Sequence, residues 1–147
     1  MRIAIAADEI VGIAEKLSAA VGARGHEVVA VHGALNDSER DDWAWASEAA
    51  ARDVAAGAAD QAIIACWTGT GASIAANKVP GVRAALCGDA YTAGGARRWN
   101  DANVLALSLR LTSRAGLNEI LDAWFAGVVS VESSDAANIA HLERIGE

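Results

Sequence analysis

Residues 66–78 read CWTGTGASIAANK. They follow an apolar run, Gln61 to Ala65, and Cys66 closes that run. A glycine-rich turn comes next, and the spacing predicts a helix from Ala72. Strand, tight loop and helix in this order form the repeating unit of an α/β sheet. The order also gathers chemical resources at one point. Free backbone N–H groups in the loop and the first helical turn hold an anion. A helix N-terminus also activates a thiol placed beside it, making it a usable base or nucleophile. The stretch alone leaves a second reading open, a buried strand-end cysteine above a structural turn.

The same unit recurs on either side. Apolar bursts predict strands at Arg2–Ala7, Glu27–Val31, Gln61–Ala65, Val82–Cys87 and Val104–Leu107. Helical spacing predicts helices at Ile10–Ala23, Asp41–Ala56, Ala72–Lys78, Ala90–Arg98, Ala115–Phe125 and Ser134–Ile145. The helix over 90–98 is expected to break at Gly94 and Gly95, and Ser133 or Ser134 is expected to cap the last helix. Near-strict alternation of short Val, Ile and Ala strands with helices predicts a five-stranded parallel sheet covered on both faces. That is a Rossmann-like, three-layer αβα sandwich, and its ligands bind beyond the carboxyl ends of the strands. Asp8, Cys66, the Cys87-Gly88-Asp89 turn, Ser108 and Arg110 fall at those ends.

The chain has 147 residues, enough for one domain with its own core, and it is 53% hydrophobic, so it is not a disordered segment. A single proline, and glycines spread along the chain, leave no linker, so residues 1–147 are expected to form one domain. The net charge of −7 argues against nucleic-acid and acidic-membrane partners. No apolar run reaches the ~18 residues of a membrane span. The opening MRIAIAADE turns acidic at once, unlike a signal peptide. Two cysteines make neither a disulfide framework nor a metal-ligand spacing, so the expectation is a cytoplasmic protein with reduced thiols.

The loop fails three familiar tests. A phosphate loop of the Gly-Lys-Ser/Thr type would need its lysine earlier than Lys78. A dinucleotide fingerprint would need glycine at Ile74. A cysteine-phosphatase loop would need arginine at Ala72. What remains is stabilisation of an enediolate or carboxylate oxygen by loop N–H groups. His26, His32 and His141 are scattered and read as surface or helix-end residues. Of the five tryptophans, Trp43, Trp45, Trp67 and Trp99 fall in or beside predicted loops or helix starts. Core packing or an oligomer interface suits most of them, while Trp67 and Trp99 also suit the wall of a sugar-sized pocket.

Taken together these motifs resemble the ribose-5-phosphate isomerase B / galactose-6-phosphate isomerase family. Its loop commonly reads CGTGIGMSIAANK. KVPGVRAALCGDAYTA (78–93) and NDANVLALSLR (100–110) are similar to the family's KVPGIRAALCHDTYSA and HNDANVLALGAR, and IAIAADEIVG (3–12) is similar to IAIGCDHAG. The resemblance implies an αβα sandwich and a homodimer with active sites at the subunit interface. It also implies aldose–ketose isomerisation through an enediol(ate) without metal or cofactor. By position, Cys66 matches the base that moves a proton between C1 and C2, and Thr68 a residue hydrogen-bonded near it. Gly69, Gly71 and Ser73 match the loop that stabilises enediolate oxygens. Asp8 matches a carboxylate that holds sugar hydroxyls, Asn100 a substrate contact and Arg110 a phosphate-binding arginine. The C-terminal helix, 134–145, is implied to pack on the partner.

Four departures stand out. Glu9 replaces the histidine after the first-strand aspartate, and Trp99 replaces the histidine that helps open the sugar ring. Trp67 replaces the loop's first glycine. Ala140 and His141 stand in place of phosphate-gripping arginines. Proton transfer is thus kept while ring opening and phosphate gripping are changed. The expectation is an isomerase of a small, atypical sugar or sugar phosphate, such as a tetrose 4-phosphate, whose blocked O4 prevents closure of a five-membered ring. Glu9, Trp67 and Trp99 join the substrate-binding set. The alternative is a sugar-binding or regulatory relative that has lost turnover.

Overall fold

The computed structural model describes residues 1–145. Five strands, β1 (Arg2–Ala7), β2 (Glu27–Gly33), β3 (Gln61–Cys66), β4 (Ala84–Leu86) and β5 (Val104–Ser108), form one parallel sheet in the order β2-β1-β3-β5-β4. Six helices connect or follow them: α1 (Leu17–Gly22, entered through a 3-10 turn), α2 (Trp43–Ala55), α3 (Thr70–Asn77), α4 (Ala90–Asn100), α5 (Arg114–Ala126) and α6 (Ser133–Leu142). The predicted αβα sandwich is therefore the fold. The last two residues of the expected 1–147 domain lie outside the described residues. Among the described residues no helix is long and apolar enough to cross a membrane.

The central strands β1, β3 and β5 are almost wholly buried, which is why they read as unbroken apolar bursts. Their side chains alternate between two cores. Ile3, Ile5, Ile63, Leu105 and Leu107 face α1, α4 and α5, where Leu17, Leu117, Ile120, Leu121 and Trp124 meet them. Ala4, Ala6, Ile64, Cys66 and Ala106 face α2 and α3 and meet Ala46, Ala50, Ala72 and Ala76. Small residues on that second face let α2 and α3 lie close on the sheet. Trp124 is fully buried, and its indole N–H donates to Gln61 Oε1 at 2.8 Å, so its one polar atom is satisfied.

Several expectations need correction. α4 runs unbroken through Gly94 and Gly95 to Asn100. The reason is tertiary: a Cβ at Gly95 would come within 2.5 Å of the Trp99 ring, so the glycine makes room for the indole to fold back along its own helix. The propensity cost of ~1 kcal/mol per helical glycine is outweighed by packing. β4 is shorter than 82–87 because only Ala84–Leu86 ladder with β5 at the sheet edge. The helical N-cap of α6 is Glu132, and no side chain caps it. Asn77 covers part of the β4 edge, its amide donating to Ala84 O at 2.9 Å and accepting from Ala84 N–H at 2.8 Å.

Candidate active site

Strand register builds one edge of the site. Ala7 pairs with Ala65 across β1 and β3, and Cys66 pairs with Ser108 across β3 and β5. Asp8, Cys66 and Ser108 therefore end three adjacent strands at one level, beside the point where the chain's crossovers change direction. Cys66 is 5% exposed and sits on the α2–α3 face. Its backbone is pinned from the neighbouring strand. Leu109 N–H donates to Cys66 O at 2.9 Å, and Trp67 O accepts from Arg110 N–H at 3.0 Å and from the Ser108 hydroxyl at 2.9 Å. Arg110 is thereby held beside the loop, with its side chain exposed.

The loop that follows enters α3 through Gly69, whose φ is 77°. A Cβ there would also lie 2.9 Å from Leu107 O, so only glycine fits. The helix begins at Thr70, two residues before the expected Ala72. Its first helical bond runs from Ser73 N–H to Gly69 O at 3.1 Å, so the N–H groups of Thr70, Gly71 and Ala72 have no helical acceptor. The hydroxyls of Thr68 and Thr70 pair at 2.7 Å at the loop's rim. The loop thus presents N–H donors a few residues after Cys66, at the same end of the sheet.

Next to it, a hollow of about 450 Å³ is lined by Asp8, Glu9, Ile10, Asn36, Glu39 and Asp41 among others. One Asp8 oxygen is buried and has no hydrogen-bond partner among the described residues. Burial, then the charges of Glu9 and Asp41, push the Asp8 carboxyl above its ordinary range, against its own backbone N–H. The hollow accepts hydrogen bonds and repels anions.

Trp99 and Asn100 are elsewhere. They end α4, just before β5 begins, and so lie at the amino edge of the sheet, opposite Cys66. Trp99 is 41% exposed and makes an edge contact with Tyr91, ring centroids 6.0 Å apart. Asn100 lines a separate hollow of about 830 Å³ with Arg83, Leu142 and Glu143. Of the residues singled out from sequence, one chain brings together Asp8, Glu9, Cys66, Trp67, Thr68, Gly69, Gly71, Ser73 and Arg110. It does not bring Trp99 or Asn100 to them.

Two residues of this edge were not singled out. Trp43, the first residue of α2, lies over Gly71, where an added Cβ would sit 2.8 Å from the indole. The signal available was its place at a helix start following a strand, on the ligand edge. His32 is no plain surface residue: its ring spans Glu39 (2.9 Å) and Asp53 (2.6 Å). Burial works against its charged form, but the hydrogen bonds and charges of Asp53 and Glu39 outweigh burial and raise its pKa. The second thiol, Cys87, is buried beyond β4, and burial followed by the charge of Asp89 pushes it up to about 11. Among the described residues, no group of three or more His, Cys, Asp or Glu side chains is placed to hold a metal ion.

The model of the Ribose/Galactose Isomerase family matches residues 3–144. Ribose-5-phosphate isomerase B of Escherichia coli K12 is 44% identical over 87 residues, covering 59% of this chain and 58% of the relative. D-erythrulose-4-phosphate isomerase of Pectobacterium atrosepticum is 40% identical over 84 residues, 57% of this chain and 53% of the relative. The matched stretches thus span little more than half of these two curated relatives. The solved structure of Trypanosoma brucei type B ribose 5-phosphate isomerase superposes with a TM-score of 0.87 at 40% identity, covering 97% of this chain and 96% of the other.

Proposed function

Because the chain belongs to the ribose/galactose isomerase family, we propose that it interconverts the aldose and ketose forms of a small phosphorylated sugar, with Cys66 as the base. The observation that carries this reading is the strand-end thiol beside a loop of unpaired N–H donors. Enolisation needs a group to take the C2 proton and donors where the oxygen gains charge, and these lie side by side. From aldose to ketose the proton would pass from C2 to Cys66 and return at C1, while the hydroxyl proton passes from O2 to O1. No metal takes part. Asp8 and Glu9 hold substrate hydroxyls, and Arg110 takes the phosphate. A reduced, cytoplasmic setting keeps the thiol free.

The reading extends to a homodimer. Trp99 and Asn100 reach a Cys66 site only when a second copy brings its amino edge to the carboxyl edge of the first. α6 supports this, since none of its residues is buried and Ala136, Ile139 and Leu142 remain at least partly uncovered in one chain.

The substrate is a four-carbon sugar phosphate. With Trp99 where the resemblance places a ring-opening histidine, the site has an indole N–H that donates a hydrogen bond but does not shuttle protons near neutral pH. A tetrose 4-phosphate is already open-chain, and a similar protein is named for erythrulose 4-phosphate. The test is exchange of the C2 hydrogen with deuterated water, using D-erythrose 4-phosphate and ribose 5-phosphate. Expected is efficient exchange on the tetrose, poor exchange on the pentose, and a loss of ~10²-fold or more in Cys66→Ser with the fold intact. Cys87→Ser serves as the control with near-normal turnover. An unchanged rate in Cys66→Ser would remove the thiol from the mechanism.

A further inference from the structure

We propose that Trp43 is a specificity-determining wall of this site, its indole stacking on the C–H face of a short, open-chain sugar phosphate. The inference rests on the isomerase reading above and names a residue that reading does not contain.

Trp43 opens α2, directly after the loop that lines the Asp8 hollow, with Asp41 two residues before it. Its six-membered ring lies against Gly71, in the first turn of α3, where the unpaired N–H groups are. An added Cβ would stand 2.8 Å from Cε3, 3.1 Å from Cδ2 and 3.2 Å from Cζ3, so any side chain at 71 would push the indole off the loop. Gly71 is therefore required for a steric reason as well as for its N–H. The start of α2 that carries the indole is anchored. The α2 turn behind it is closed by Ala46 N–H to Asp42 O at 3.0 Å, and Ala46 packs so close to Gly33 that a Cβ there would lie 2.6 Å away.

Yet 46% of Trp43 stays exposed, and so does 51% of Trp67. Trp67 follows Cys66 at the start of the loop and Trp43 lies against Gly71 at its end, with Thr68, Gly69 and Thr70 between those two points of the chain. Large apolar faces left open at the two ends of a loop of N–H donors suit a ligand with polar edges and apolar C–H faces, which is the make-up of a sugar chain.

The test compares Trp43→Ala, Trp43→Leu and Trp43→Phe in the full-length protein. Turnover is measured on D-erythrose 4-phosphate, and calorimetry measures binding of the same compound to each variant in a Cys66→Ser background. Expected is a rise of about tenfold in KM and Kd for Ala and Leu, with kcat within about threefold and Phe restoring both constants to within about twofold. Leucine keeps bulk over Gly71 without an aromatic face, so it decides the matter if the alanine variant fails to fold. An unchanged Kd in a folded Ala or Leu variant overturns the proposal. So does an equal loss in all three variants, which would make Trp43 a packing residue. Should the wild type bind the tetrose phosphate without turning it over, the isomerase reading falls and the binding comparison still decides the role of Trp43. Absence of wild-type binding overturns the wall itself.

Discussion

Asp8 is held at a cost to stability. One of its oxygens is buried without a partner, and Glu9 and Asp41 add like charge. Its folded pKa is raised, so between the unfolded and folded values the native state holds a proton that the unfolded chain has released. Stability therefore falls as pH rises through that window, and the penalty persists at neutral pH. Asp8→Asn removes the charge and keeps the shape. The carboxyl is only partly buried, so the gain is taken at the low end of the cost of an unsatisfied group, ~1 kcal/mol, or about 2–4 °C in Tm at pH 7. Turnover should drop in the same variant. A melting point unchanged or lowered at pH 7 would show that the carboxylate is satisfied in solution. Asp8 was legible at the carboxyl edge of the sheet because it ends the first strand. Trp43 was not singled out, because its contact with Gly71 arises only when α2 and α3 pack, 28 positions apart in sequence.

Helices and strands were legible wherever burial is complete. β1 was read to the residue, since both of its faces are apolar. α4 was misjudged at Gly94 and Gly95 because local propensity cannot see an indole returning over Gly95. The strand order was not readable either, as alternation alone does not say that β5 inserts between β3 and β4. His32, which looked isolated, ties the end of β2 to Glu39 in the following loop and to Asp53 on α2. That clamp has a pH signature. Its folded pKa is raised, so its contribution is full below the unfolded value of roughly 6.5 and fades as pH rises through the folded value. The Tm difference between wild type and His32→Gln should accordingly be largest near pH 6 and shrink toward pH 8 or above. A difference that stays flat across that range would mean that the ring's charge does not hold the loop.

At the scale of the molecule, residues implied for one site are divided between opposite edges of the sheet. The shared-site reading makes a sharp prediction. Chains carrying Cys66→Ser and chains carrying Asn100→Ala are each expected to be nearly inactive. Mixed in equal amounts and allowed to exchange subunits, they place one intact site in half of the dimers. About a quarter of wild-type activity should return. Sedimentation should show dimers at micromolar concentration. No recovery after verified subunit exchange, or an active monomer, would place the whole site within one chain.

The Asn77 amide has a consequence for how the protein behaves when crowded. A parallel sheet that ends on a short strand offers open backbone to any passing strand, and that is how ordered aggregates grow. Here a side chain imitates the missing neighbour: it gives one hydrogen bond to Ala84 and takes one back. At this edge the growing end of a would-be fibril is stoppered from inside the molecule, at the one residue where an added strand would first take hold.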